Sequence, residues 1–263
     1  MPETFRLDGG GVTYAFGVTD SGLLQHHYFG PRLGDDDVID APSPRELSGF
    51  DPAASTLPQE YPGWGGGLYS EPALKVMHPG GARDLVLTFR GSRQERGWLV
   101  VELQDIDRPV AVELFYQIDS ATGIVARRAR IANRGKGAVR VDQAMAATWH
   151  LPHQDDYRLH YLTGHWASEW TVQERPVSQG RTVYESRRGS TGVQANPWFA
   201  VTRAGVTTEQ AGPAWFGALA WSGSWAISVD QGVLGDVRIT GGFNPFDFAY
   251  ELKPGETLDT PVF

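Results

Sequence analysis

Most of the chain alternates apolar and polar residues with the period of a β-strand, and helical periodicity is rare. Five such runs follow one another at residues 85–89, 98–103, 110–118, 124–131 and 139–146. The segments between the third and fourth runs (119–123) and between the fourth and fifth (133–137) have the composition of hairpin turns. Consecutive strands in this region are therefore predicted to pair antiparallel.

The same pattern continues on both sides of this region. Residues 12–18 and 23–30 predict a hairpin around a turn at 19–22, and residues 214–221 and 224–230 predict another around Ser222-Gly223. Further strands are predicted at 198–201, 237–243 and 246–252, whereas the Pro- and Gly-rich residues 40–74 predict a long irregular connection. Residues 1–263 are thus predicted to form one all-β domain, an antiparallel sandwich or barrel.

Composition and charge narrow the classes of partner. The net charge of -8 comes from 31 acidic and 23 basic residues without a basic run, which excludes a typical nucleic-acid interface. The chain has no cysteine, which excludes disulfides and thiolate chemistry. Its first residues lack the basic start and apolar run of a secretory signal, and no stretch is apolar enough for a membrane span. These features predict a cytoplasmic protein without a membrane partner.

Residues 162–198 hold the densest mixture of aromatic residues, charges and glycines. Glu185 stands there beside Arg187 and Arg188, downstream of Trp166 and Trp170. Guanidinium and carboxylate groups near flat aromatic surfaces suit a polar, ring-shaped ligand. The same residue types also serve contacts between a sheet and its loops or neighbours, so both interpretations stay open.

A second candidate is the loop around Trp64, where three consecutive glycines follow the tryptophan. Glycines permit backbone shapes and close approaches that other residues cannot adopt. The interleaved tyrosines argue against a flexible linker, and the missing Lys-Ser/Thr ending excludes a phosphate loop. A long loop of this composition is typical of a functional segment.

Other charged groups have simpler interpretations. His26 and His27 are adjacent on a strand and face opposite sides, so they are predicted to serve structure or substrate rather than one metal ion. Alternation places Arg128 and Arg130 on one face and Arg127 on the other, and this group is predicted to lie on a solvated sheet. No metal site, cofactor or catalytic carboxylate pair is predicted.

A set of ordered motifs covers nearly the whole chain. They are LQHHYFGPRL (24–33), EYPGWGGGLYSEPAL (60–74), LTGHWASE (162–169), ESRRGS (185–190), NPW (196–198) and GFNPFDFAYELKP (242–254), together with Arg175-Pro176 and Gly180. With these motifs the chain resembles the amino-terminal domain of family 36 glycoside hydrolases, the bacterial-type α-galactosidases. The resemblance implies a β-supersandwich of the galactose-mutarotase type that precedes a (β/α)8 barrel, and the barrel carries both catalytic aspartates.

The resemblance also implies roles for particular residues. Trp64, Gly67, Leu68, Tyr69 and Asn196 are expected to contribute to substrate binding, because the loop of a neighbouring subunit is thought to reach the pocket in this family. Trp166, Glu185, Arg187 and Arg188 are expected to serve as interface or scaffold. The implied partners are an α-galactoside, the barrel and further copies of the chain.

Two positions depart from the family pattern. Relatives usually carry an acid and a base where this chain has Leu68 and Ser70, and a histidine is missing from residues 190–194. The loss of the acid and the base removes hydrogen-bonding capacity toward sugar hydroxyls, so the sugar specificity is open.

Two functions of other classes remain as alternatives. Although several of them are expected to fill the core, seven tryptophans offer stacking platforms for a free-standing carbohydrate-binding module: Trp64, Trp166, Trp170, Trp198, Trp215, Trp221 and Trp225. A mutarotase-like epimerase would need a general acid and a general base, for which the chain offers His150, His153, His160 and His165.

Overall fold

The protein is described by a computed structural model that covers residues 3–43, 50 and 52–263. Eighteen strands and one 3-10 turn (Ala53–Ser55) make up its regular structure within these residues. Every ladder between the strands is antiparallel, so the predicted all-β class is confirmed.

The strands in chain order are β1 (Thr4–Gly9), β2 (Val12–Val18), β3 (Leu24–Pro31), β4 (Leu74–Met77), β5 (Leu87–Glu95), β6 (Trp98–Asp105), β7 (Val110–Ile118), β8 (Val125–Asn133), β9 (Val139–Leu151), β10 (Tyr157–His165), β11 (Ser168–Pro176), β12 (Gly180–Ser186), β13 (Ala195–Arg203), β14 (Ala214–Ala218), β15 (Trp225–Gln231), β16 (Val237–Phe243), β17 (Tyr250–Leu252) and β18 (Thr257–Asp259).

These strands form four sheets in a propeller-like arrangement. The first has the order β1-β2-β3 and the second β18-β8-β7-β6-β5. The third has the order β11-β10-β13-β14, and the fourth β12-β15-β16-β9-β17, with β4 also paired to β9. One continuous apolar cluster takes side chains from all four sheets, so the sheets share a single core.

Local alternation explains the meander of β5 to β8. In β8 every second residue is buried, and the chain reverses at 119–123 to pair it with β7 as predicted. The predicted pairing of β8 with β9 is wrong, because β9 leaves this sheet and pairs with β16, β17 and β4. β9 is buried on both faces from Ala144 to Leu151, which makes it the strand that connects two layers.

Two more sequence predictions meet different outcomes. The hairpin of β2 and β3 is confirmed. The hairpin predicted around Ser222-Gly223 is wrong, since β14 pairs with β13 in one sheet and β15 pairs with β12 and β16 in another. Turn residues set a local reversal, but the sheet that each strand joins depends on burial in the core.

No helix within the described residues has the length and apolar character needed to cross a membrane.

Candidate functional site: a polar sheet face beside the glycine loop

The most strongly buried charges form one cluster under the first sheet. Glu60 is fully buried, and one of its carboxylate oxygens lies 2.9 Å from Nη2 of Arg127. The hydroxyls of Tyr14 and Tyr116 and the Nδ1 of His26 donate to the same carboxylate at 2.8–3.0 Å. Because water and ligands have no access to this carboxylate, we assign the cluster a structural role.

The electrostatics of the cluster follow from this packing. Burial by itself raises the pKa of Glu60, but the charge of Arg127 and the His26 hydrogen bond outweigh it and hold the pKa at about 2. Burial raises the pKa of Tyr14 and Tyr116 far above the usual value, so both stay neutral donors.

The position of Arg127 corrects one of the sequence predictions. The prediction that it lies on a solvated face is wrong, because only 2% of the residue is exposed and it sits between Val125 and Ala129 on the core face of β8. Arg128 and Arg130 lie on the outer face, as the alternation predicted, and both donate to Asp259. The sequence does contain a signal for this burial, because Arg127 lies on the same face of β8 as the apolar residues Val125 and Ala129.

The glycine loop, residues 64–70, is held at its start by strand-like contacts. The Trp64 amide donates to the Leu74 carbonyl oxygen at 3.0 Å, and the Trp64 carbonyl oxygen accepts from the Leu85 amide at 3.0 Å. A Cβ on Gly65 would lie 2.4 Å from a carboxylate oxygen of Asp84, whereas Gly66 and Gly67 have positive φ angles of 63° and 76°. The glycines are therefore required for close approach and for left-handed backbone, as predicted from their spacing.

Beyond the loop, the chain runs along one face of the sheet β12-β15-β16-β9. Arg181, Asp230, Arg238 and His150 are direct cross-strand neighbours, so their side chains share one face in a row. The opposite face of the same strands carries core residues such as Ile227 and Ile239. One face of this sheet therefore packs on the apolar core, and the other face carries a row of polar side chains.

Gln59, Ser70 and Glu71, which lie at and beside the two ends of the glycine loop, cover this row of side chains. His150 Nε2 donates to the Gln59 carbonyl oxygen at 2.9 Å, and Arg238 Nη1 donates to Ser70 Oγ at 2.6 Å. Glu71 accepts from Arg181. Burial lowers the pKa of His150 to about 3, which keeps it neutral beside Arg238.

Next to the covered row lies an open cleft of about 330 Å³. Glu71 and Arg181 form one wall, and Glu185 and Arg187 form the other, where their carboxylate and guanidinium make an ion pair at 2.5 Å. Ser228 lies on the floor.

The loop that follows β16 closes the cleft. Asn244 Nδ2 lies 3.0–3.1 Å from acceptors on Glu185, Ser186 and Trp225, so this loop is fixed to two neighbouring strands. The loop presents Phe246 at the rim, with the guanidinium of Arg187 4.2 Å from the ring centre.

The structure separates the residues of 162–198 into two places. Glu185 and Arg187 line the cleft, whereas Trp166 lies at the tip of the β10–β11 hairpin and is 86% exposed. Arg188 Nη1 donates to Gln194 Oε1 at 2.8 Å. Asn196 is the second residue of β13, and its Nδ2 is buried without a hydrogen-bond partner. The single site that the sequence left open therefore divides into a cleft and an exposed hairpin.

Sequence reasoning missed Arg181, Asp230 and Arg238 as parts of a site. They come from separate strands, and only the sheet register aligns them. The histidines proposed for an epimerase do not meet in one place: His150 is buried under Gln59, and His160 bonds Thr202 across the β10–β13 ladder. Within the described residues no group of three or more His, Asp or Glu side chains could hold a metal ion.

Comparison with known proteins gives this fold and site a class. Residues 22–253 match the Glycosyl hydrolase family 36 N-terminal domain. The match takes in most of the chain, from β3 to the turn after β17, and the chain belongs to this family.

The similar proteins share this domain. Alpha-galactosidase AgaA from Geobacillus stearothermophilus is 29% identical over 99% of the chain and 39% of its own length. Probable alpha-galactosidase C from Aspergillus terreus is 29% identical over 98% of the chain and 36% of its own length. The crystal structure of AgaA superposes with a TM-score of 0.91 at 28% identity, covering 99% of the chain and 40% of AgaA. The chain thus spans about two fifths of the length of these relatives.

Proposed function

We propose that the chain serves as the amino-terminal domain of an enzyme that hydrolyses terminal α-galactosides. The match of residues 22–253 to the family domain carries this proposal, because the relatives that share it are α-galactosidases. Crystal structures of AgaA variants hold raffinose and stachyose, both α-galactosides. The sequence resemblance to a β-supersandwich is part of the same proposal, and the shared core of four antiparallel sheets supports it.

In this proposal the domain does not supply the catalytic carboxylates. A retaining glycosidase needs two carboxyl groups about 5–5.5 Å apart, one as nucleophile and the other as acid and base. The carboxylates of the open cleft are already engaged: Glu71 pairs with Arg181 and Lys75, and Glu185 pairs with Arg187. These carboxylates pair with separate guanidinium groups and not with each other across a substrate, which supports a non-catalytic role.

The proposed contribution to substrate binding comes from the glycine loop. Trp64 and Tyr69 are both exposed and flank Gly67 and Leu68, so the loop presents two aromatic surfaces. Ser70, which stands where relatives carry a base, is turned toward Arg238 and held there. The loop therefore offers a sugar aromatic faces more than charged hydrogen bonds, and this shifts the expected specificity.

Subunit and domain contacts are proposed for the exposed hairpin. β11 is an edge strand whose residues are nearly all exposed, and an uncovered edge is normally paired or protected in the assembled protein. Trp166 and Trp170 extend this surface, and Trp170 adopts a left-handed φ of 55° that costs about 1 kcal/mol in a non-glycine residue. Retaining such strain at an exposed tip supports an interface with another copy of the chain or with the catalytic domain. The cytoplasmic location stays a prediction of the sequence.

Hydrolysis of a chromogenic α-galactoside tests the proposal. We expect the 263-residue chain alone to give no turnover above buffer, and a longer product of the same gene to hydrolyse the substrate. Turnover by the chain alone that disappears in Glu185→Gln or Glu71→Gln would contradict the non-catalytic role. A longer product without α-galactosidase activity would contradict the enzyme class.

A further inference from the structure

The cleft beside the glycine loop has the form of a small-molecule site. Its volume of about 330 Å³ lies at the small end of the range for ligand pockets. Val183, Ala226 and Met145 give an apolar floor around Ser228. The walls are rigid, because Glu71 and Arg181 hold one another on one side and Asn244 ties Glu185 to the strand ends on the other.

The charges of the cleft select for a neutral ligand. Glu71 and Glu185 each carry a guanidinium partner, from Arg181 and Arg187, so the two walls are balanced. An anion would have to displace a carboxylate, and a cation would have to displace a guanidinium. Paired groups still retain unused donors and acceptors, because a guanidinium has five N–H bonds and a carboxylate accepts at about four positions. Such alternating donors and acceptors fit a molecule with several hydroxyl groups.

A second observation shows spare hydrogen-bonding capacity behind the floor. Arg238 is 4% exposed, yet its Nε and Nη2 have no hydrogen-bond partner among the described residues. Nη2 lies 3.9 Å from the Asp230 carboxylate, beyond hydrogen-bond distance, and that carboxylate accepts from Ser228 at 3.2 Å. Buried polar groups are rarely left without partners. Ser228, which reaches the cleft, connects this polar row to the site.

The rim adds an apolar surface. Phe246 is 60% exposed, and Asn244 fixes its backbone by accepting from the Phe246 amide at 2.9 Å. A sugar ring combines hydroxyl edges with an apolar face of C–H groups, and aromatic rings bind that face. We propose that the cleft, which lies beside the glycine loop, binds one ring of a neutral sugar.

Ligand-observed NMR with the 263-residue chain tests this site. The probes are methyl α-D-galactopyranoside and methyl α-D-glucopyranoside, with inorganic phosphate as the anionic control. We expect saturable binding of at least one glycoside and no competition by phosphate. Phe246→Ala and Arg187→Ala are each expected to raise the dissociation constant about fivefold or more, which corresponds to about 1 kcal/mol of binding free energy.

Two variants distinguish the cleft from other surfaces. Arg188→Ala removes the neighbouring arginine, which bonds Gln194 outside the cleft, and is expected to leave binding unchanged. Trp166→Ala removes the exposed ring at the tip of the β10–β11 hairpin, which does not line the cleft, and should also leave binding unchanged. The inference is overturned if neither glycoside binds, if phosphate competes, or if Trp166→Ala abolishes binding while Phe246→Ala does not. None of these outcomes bears on α-galactosidase activity, so the proposed function stands or falls separately.

Discussion

Replacing Glu60 with Gln changes one buried charge while preserving the size of the side chain. Glu60 accepts from Tyr14, Tyr116 and His26 and neutralises Arg127 in an environment without solvent. The difference between the ordinary pKa of 4.5 and the pKa of about 2 in the fold corresponds to about 3 kcal/mol of stability at neutral pH. Breaking a buried ion pair costs about 3–5 kcal/mol, because the remaining charge has no partner.

Urea denaturation followed by tryptophan fluorescence measures this loss. We expect Glu60→Gln to lower the free energy of unfolding by about 3–5 kcal/mol, a large part of the roughly 5–15 kcal/mol typical of a folded domain. Arg127→Met should cost a similar amount, since it leaves the Glu60 carboxylate without its countercharge and removes the hydrogen bond to the Thr148 carbonyl oxygen. The double variant should lose clearly less than the sum, and the coupling energy should be about 2–3 kcal/mol.

A matched surface carboxylate provides the control. Asp259 accepts from Arg128 at 2.7 Å and from Arg130 at 2.9 Å, but its side chain is 46% exposed. Asp259→Asn is therefore expected to cost less than about 1 kcal/mol. The assignment of the cluster as a stability centre is refuted if Glu60→Gln costs no more than Asp259→Asn, or if the two single losses at Glu60 and Arg127 simply add.

Three further predictions address acidity, loop geometry and the cleft wall. Because the pKa of His150 is lowered from 6.5 to about 3, the free energy of unfolding should fall by up to about 1.4 kcal/mol per pH unit as pH drops below 6.5. His150→Gln should flatten this slope in urea titrations between pH 6.5 and 4.5, and a slope equal to that of the unsubstituted chain would contradict the prediction. Gly65→Ala should lower the free energy of unfolding by at least about 2 kcal/mol, because the added Cβ would clash with Asp84 and the Leu85 backbone. Gly91→Ala is the control and should change it little, since a Cβ there meets nothing within 4 Å. Similar thermal midpoints for the two variants would show that the loop moves to accommodate the Cβ. Asn244→Ala should cost about 2–4 kcal/mol by urea denaturation, because it removes the hydrogen bonds to two buried carbonyl oxygens and from the Phe246 amide. A loss below about 1 kcal/mol would mean that the cleft wall does not depend on Asn244.

The sequence by itself determined the elements and the family. Strict alternation in β8 and clear turn residues at 119–123 predicted both the strands and the antiparallel class, because side-chain period and turn conformation are local properties. The three glycines after Trp64 likewise predicted a loop with backbone conformations or close contacts that other residues cannot adopt. The positive φ angles of Gly66 and Gly67 and the close contacts at Gly65 confirm this. The ordered motifs were sufficient to recognise the glycoside hydrolase family 36 domain.

Only the tertiary structure decided which strands meet and which charges are buried. The turn at 119–123 joins β7 to β8 in one sheet, whereas the similar turn at 133–137 leads from β8 to a strand of another sheet. The difference arises because β9 is buried on both faces from Ala144 to Leu151. Arg127 and Arg128 are adjacent arginines, but the fold gives them different surroundings. Arg127 pairs with Glu60, which comes from a loop without periodicity, whereas the side chain of Arg128 is partly exposed to solvent. The row of Arg181, Asp230 and Arg238 exists because three strands pair in one register. Long-range pairing of this kind depends on the free energy of the whole core, which no local pattern contains.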